Sequence, residues 1–362
     1  MGTLDQLRVV EMAGLGPVPF AAMMLADMGA EVIRIDAPPR NSEDPHDHVG
    51  PIWRGRPAVE LNLKDETDRH TARALITHAD VLLEGFRPGV MERLGLGPEI
   101  CTSDNPALVY GRMTGWGQHG ARAHEAGHDI NYLAANGVLR AIGRSGERPT
   151  PPLNLVGDFG GGGMLLLAGV LAALVERGKS GRGQVVDAAM VDGAALLMSS
   201  VLGWKANGSW REPPGTNAID TGSPFYEVYE TCDGGHLAVG AVEPRFYREF
   251  IAVLGLADVP DQYDRDTWPA MKKRVADAIG ERSLAEWTEA FRERDACVTP
   301  VASVESALAD PLFSDRPTYV RVGEEVHAAP APRFSRTPST LPGTNARAAS
   351  ADPDAVLSRW RG

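Results

Sequence analysis

From Arg8 to Met113 the chain repeats one unit: a short apolar run, a turn, then a helical stretch. Arg8–Met12 reads as a buried strand and ends in Ala13-Gly-Leu-Gly-Pro17. Pro19–Met28 carries apolar residues on nearly every face, and Gly29 stops it. Glu31–Ile35 is the next strand. The alternation continues through strand Val59–Leu63, helix Glu66–His78, strand Val81–Glu84, helix Val90–Leu94 and strand Leu108–Met113. Continuous apolar strands separated by helices require crossover connections and parallel pairing. The predicted fold class is therefore α/β, with a Rossmann-like open parallel sheet.

The grammar changes further along. Residues 114–163 are rich in Gly, His and Pro, the kind of irregular stretch that carries function. Helices are expected over Met164–Arg177 and roughly Val185–Asn207, after a glycine-rich turn. Phe225–Thr231 and His236–Ala241 flank Cys232-Asp-Gly-Gly235, a β-hairpin pattern. Helices follow near Pro244–Leu254, Pro269–Ile279 and Leu284–Arg294. The expected organisation is a large Rossmann-like domain over 1–209, to which 330–362 returns, and a smaller α+β domain over 224–310. Residues 210–223 and 311–329 are expected linkers.

Charge and cysteine content narrow the class. A net charge of −12 lacks the broad basic field of a nucleic-acid binder. It does not exclude a small polyanion, because arginine recognises phosphate locally and bidentately. Arg34, Arg40, Lys64, Arg87 and Arg93 fall at or near strand ends, where such sheets bind ligands. The 3 cysteines are far apart, so a reducing cytoplasm is expected rather than a disulfide framework. The N-terminus carries no basic n-region. The longest uncharged run, Phe159–Val175, opens with glycines and reads as a core helix rather than a membrane span.

Three motifs compete as functional signals. Gly14-Leu-Gly-Pro-Val-Pro19, with Asp36 further on, has the dinucleotide-binding layout. Two prolines in its turn remove amides that a pyrophosphate needs, so a βαβ unit without NAD is favoured. His124-Glu-Ala-Gly-His128 matches the zinc peptidase pattern, which requires both histidines on one face of a rigid helix. Its loop context and Gly127 oppose that reading, and no metal site is expected. The third is His128-Asp-Ile-Asn-Tyr132 together with Val156-Gly-Asp-Phe-Gly160. Asp129 is a natural helix N-cap, which would set His128 beside helix-terminal amides. Asp158 would cap the following helix, or pair with His128 in acid–base work.

Long ordered segments also carry a family resemblance. They include Ala30-Glu-Val-Ile-Arg-Ile-Asp36, Leu83-Glu-Gly-Phe-Arg-Pro-Gly-Val90, Arg112-Met-Thr-Gly-Trp-Gly117, Ala126-Gly-His-Asp-Ile-Asn-Tyr132 and Leu155-Val-Gly-Asp-Phe-Gly160. Through them the whole chain resembles the α-methylacyl-CoA racemases of the family III CoA-transferase superfamily, the bacterial, actinobacterial type most. The resemblance implies a racemase that interconverts (2R)- and (2S)-2-methylacyl-CoA thioesters, with His128 and Asp158 flanking the acyl Cα. It implies Asp129 and Glu243 as acids that orient His128 or complete the site. For CoA it implies Leu61, Asn62, Leu63, Lys64, Gly85, Phe86, Arg87, Arg93 and Gly127–Tyr132, the last including Ile130 and Asn131. Ala37 stands where relatives carry a phosphate-binding Arg, and Arg40 is the expected substitute. An interlocked homodimer is implied, and no cofactor beyond the CoA carried by the substrate. Two rivals are a CoA-transferase with Asp158 as covalent nucleophile and a zinc peptidase using His124 and His128. A third is a non-catalytic acyl-CoA binding module.

Overall fold

The computed structural model describes residues 2–38, 50–341 and 350–361. Arg40 lies outside them. The chain divides into two compact units: Met1–Asn136 with Leu153–Leu197 and Leu312–Gly362, and Gly137–Pro152 with Met198–Pro311. Residues 137–152, expected in the large domain, thus group with the second unit.

The first unit is built on six parallel strands: β1 (Arg8–Met12), β2 (Glu31–Asp36), β3 (Ala58–Glu60), β4 (Val81–Glu84), β5 (Val109–Thr114) and β6 (Val185–Ala189). Their order is β3-β2-β1-β4-β5-β6. This is the doubly wound arrangement, whose strand order reverses between β1 and β4. The pleat sends neighbouring residues to opposite faces. Val9, Val32, Val81 and Val109 enter one core with helices Pro17–Asp27 and Met164–Ser180. Val10, Ile33, Leu82 and Tyr110 enter the other, under helix Glu66–Thr77 and the final helix Pro353–Arg361. Asp65 caps helix Glu66–Thr77 by accepting from the Thr67 and Asp68 amides, a contact worth about 1 kcal/mol.

Several elements depart from expectation. Val185–Ala189 is a strand, not the start of a helix. Its burial is uneven because it forms the sheet edge, so it lacks a continuous apolar run. Helices Met190–Leu197 and Ser199–Ala206 follow it. Leu155–Gly163, expected as a turn, is a π-helix running directly into helix Met164–Ser180. Its glycines admit close neighbours: a Cβ on Gly161 would lie 2.6 Å from the Ala194 amide nitrogen. The combined run Leu155–Ser180 is long and apolar enough to cross a membrane by length and composition. Here it lies on the sheet, with Leu166, Leu167 and Val170 in the first core.

The second unit holds a three-stranded antiparallel sheet of β7 (Tyr226–Glu230), β8 (His236–Gly240) and β9 (Val298–Pro300). The predicted hairpin supplies β7 and β8. Phe225, Phe250, Trp268 and Trp287 fill its core. The expected linker 311–329 instead contains helix Pro311–Asp315 and a hairpin of β10 (Tyr319–Val322) and β11 (Glu325–Ala328).

Candidate active site

A cavity of about 400 Å³ opens beyond the C-terminal ends of β1, β4 and β5, at the point where the strand order reverses. Its wall includes Leu15, Val18, Phe86, Arg87, Trp116 and His128. Of the residues implied for CoA, it gathers Gly85, Phe86, Arg87, Gly127, Asn131 and Tyr132.

Each part of the wall has a local cause. The Gly85–Arg87 turn is pinned because the Phe86 amide donates to Glu84 Oε2 at 2.8 Å. Glu84 Oε1 accepts from Arg112 Nε at 2.8 Å, and Arg112 also reaches Glu92. Burial pushes the Glu84 carboxyl above its ordinary range despite the Arg112 guanidinium. Tyr132 is buried and stands edge-on to Trp116, with ring centroids 4.8 Å apart. Its hydroxyl donates to the Gly127 carbonyl. A Cβ on Gly115 would fall 2.1 Å from the Tyr132 ring, so only glycine leaves space for it.

His128 is exposed and directly precedes helix Asp129–Ala135, in the N-cap position expected of Asp129. Its amide donates to Asn131 Oδ1 at 3.0 Å, and its carbonyl accepts from the Asn131 and Tyr132 amides. Asp129 is instead the first residue of that helix. Its Oδ2 accepts from the Gly157 amide at 2.6 Å and the Asp158 amide at 2.8 Å. The carboxylate thus caps the π-helix, not its own helix.

Asp158 sits in the first turn of that π-helix, rather than capping helix Met164–Ser180. Its carboxyl lies against Gly16, whose φ of 69° is left-handed and where a Cβ would come within 3.1 Å of Asp158 Oδ2. Asn154 Nδ2 donates to the same oxygen at 3.3 Å. Burial raises the Asp158 carboxyl above its ordinary range; the Asn154 bond opposes this, the Asp129 charge adds to it, and the His128 charge opposes it. His128 and Asp158 therefore lie within electrostatic reach of one another. Gly16 and Asn154 were missed by sequence reasoning. The left-handed turn was signalled by Gly14-Leu-Gly-Pro-Val-Pro19, but its occupant is a carboxyl from the same chain.

The remaining residues lie elsewhere. Leu61 is 5% exposed and packs in the second core, so only its backbone can meet a ligand. Asn62, Lys64 and Arg93 are exposed and Leu63 is half-buried, outside the cavity wall. Ile130 is exposed at 43%. Glu243 is an exposed residue of the second unit, at the start of helix Pro244–Leu254. Asp36, the acid of the dinucleotide layout, is engaged by Arg34 Nε and Nη2 at 2.6 and 2.7 Å. His124 lies in a turn and shares no helix with His128. Among the described residues no group of three or more His, Cys, Asp or Glu is disposed to hold a metal.

Residues 4–355 match the family described as CoA-transferase family III. The chain belongs to CoA-transferase family III. It is 47% identical over 339 residues to the alpha-methylacyl-CoA racemase of Mus musculus, covering 93% of this chain and 87% of the relative. The racemase of Homo sapiens is 45% identical over the same shares. The acetyl-CoA:oxalate CoA-transferase of Acetobacter aceti is 30% identical over 89% of this chain and 86% of its own. Among solved structures, a CAIB/BAIF family protein from Brucella suis shares the fold, with a TM-score of 0.83 at 21% identity and 99% coverage of both chains. Rv3272 from M. tuberculosis gives a TM-score of 0.78 at 25% identity, over 95% of this chain and 96% of that one. The chain's relatives thus include both racemases and transferases.

Proposed function

We propose that this chain is an isomerase that interconverts (2R)- and (2S)-2-methylacyl-CoA thioesters by 1,1-proton transfer through an enolate. The observation that carries this reading is that His128 lines the cavity while the Asp158 carboxyl lies against Gly16, between the cavity-lining Leu15 and Pro17. A thioester α-proton is a weak acid, so catalysis requires a base on one face, an acid on the other and donors for the enolate oxygen. His128 and Asp158 exchange those roles between enantiomers. The Asn131 and Tyr132 amides are already bonded to the His128 carbonyl, which narrows the enolate donors at this helix start to the Asp129 and Ile130 amides. The identity to racemases of two mammals supports the same reading.

The substrate carries the CoA, and the proton transfer needs no further group. Arg87 at the cavity, with Lys64, Arg93 and the undescribed Arg40, would hold its phosphates. Asn62, Gly85, Phe86 and the backbone of Leu61 and Leu63 would line its path. Glu243 would complete the site in a homodimer, and the cytoplasm is the expected compartment.

The second reading, CoA transfer through an Asp158 acyl anhydride, is favoured by the Acetobacter relative. Incubation with a 2-methylacyl-CoA in D₂O, without an acceptor acid, separates the two. Deuterium at Cα with CoA still attached is the expected result. CoA transfer to an added carboxylate, without exchange, would establish the transferase instead. Binding with neither activity would leave a non-catalytic acyl-CoA module.

A further inference from the structure

The family resemblance implies that Asp129 orients His128 or completes the site; the geometry points to a more specific partner. We propose that Asp129 is a positioning residue for Asp158, one buried carboxylate holding the backbone of the other through two amide hydrogen bonds. This inference rests on the proposed role of Asp158 in proton transfer.

Asp129 is 5% exposed, and its Oδ2 takes both the Gly157 and Asp158 amides. Those amides are first-turn donors, which a helix leaves unpaired and which favour an anion. Gly157 allows the approach, since a Cβ there would lie 2.6 Å from Asp129 Oδ2. Asp129 Oδ1 is buried without a hydrogen-bond partner. One oxygen therefore does the holding, while the whole charge sits beside the Asp158 carboxyl.

The groups acting on Asp158 are the Asn154 amide, the Asp129 carboxylate and the His128 ring. Tyr132 in turn feels the charge of Asp158. The Gly16 turn brings no charge to the carboxyl. With Asp129 ionised, a second negative charge nearby is disfavoured, so Asp158 keeps its proton to higher pH. Asp129 thus places the proton-transfer group and tunes its charge together.

The test separates these effects. Asp129→Asn keeps an acceptor oxygen and removes the charge, Asp129→Glu keeps the charge and shifts the oxygen, and Asp129→Ala removes both. Carbon NMR of enzyme labelled at aspartate carboxyls, assigned with Asp158→Asn, follows the titration of Asp158 without any need for activity. The rate of racemisation measured from each enantiomer gives the pH profile of kcat/KM. In Asp129→Asn, Asp158 is expected to titrate at lower pH, and the acid limb to move down with it. The limb must move equally for both enantiomers, because the equilibrium constant links their kcat/KM values. Asp129→Glu is expected to keep the limb and lose rate, and Asp129→Ala to lose about 100-fold in kcat. An unmoved titration and limb in Asp129→Asn, or wild-type kcat in Asp129→Ala, would overturn the proposal. If Asp129→Ala fails to fold, the other two variants decide it. Absence of exchange in the wild type would remove the racemase reading, while the carbon titration would still report whether Asp129 acts on Asp158.

Discussion

His128 and Asp158 occupy opposite settings. His128 is exposed, and its backbone amide and carbonyl bond to the first turn of the helix it precedes. Asp158 is half-buried, with its amide held by Asp129 and its carboxyl seated against Gly16 and Asn154. An aspartate starts near 3.9 and must be raised by its surroundings to serve as an acid. The chain accordingly spends its buried contacts on the aspartate.

The largest expected effect tests whether the pair acts as one unit. His128→Ala and Asp158→Asn should each lower racemisation by about 10²–10⁴ fold. The double variant should fall little further, because a lone proton-transfer group cannot complete racemisation. Additive losses in racemisation would separate the two groups.

Next, Gly16→Ala strikes the aspartate alone. The added Cβ must displace the carboxyl, and a side chain at this positive φ costs about 1–3 kcal/mol. Exchange should fall by about 100-fold, by analogy with a 1 Å misplacement, while CoA binding by calorimetry stays near wild type. Unchanged kcat would show that the seat is not needed. Arg87→Ala leaves both proton-transfer groups in place. It should raise KM about tenfold, the scale of one charged hydrogen bond, with kcat preserved and the effect weakened by salt.

The smallest expected effect is in Asn154→Ala. The Asn154 bond lowers the proton affinity of Asp158, so its loss should move the acid limb of kcat/KM to higher pH. A limb moving down would contradict the assigned donor direction.

Much of this arrangement was legible in the sequence, for identifiable reasons. Strands β1, β2 and β4 are buried along most of their length and read as continuous apolar runs. Strand β6 did not, because Val185-Val-Asp-Ala-Ala189 is an edge, buried only at its last two residues. The run Gly160–Gly163 looked like a turn because glycine is the usual turn residue. Here it answers to the closeness of helix Met190–Leu197 and the Pro17 turn, neither of which is local in sequence. His128 and Asp158 were marked by the family motifs, but their support was hidden. An Asp at a helix start was correctly noticed at position 129, and only the three-dimensional path showed that it serves a helix 28 residues away. Gly16 stood in an expected turn, and the structure shows its positive φ and the carboxyl that fills the space beside it.

The fit of Tyr132 between two glycines has a consequence for how such a cavity diversifies. Gly115 and Gly127 form a mould around the ring, with room for no side chain at 115 and little at 127. The ring in turn forms part of the cavity wall. A smaller residue at 132 would vacate the mould and deepen the floor; a larger one at 115 would expel the ring into the cavity. Positions 115, 127 and 132 are thus tied as one inherited trait, and chains that accept bulkier acyl groups should be found to have changed them together.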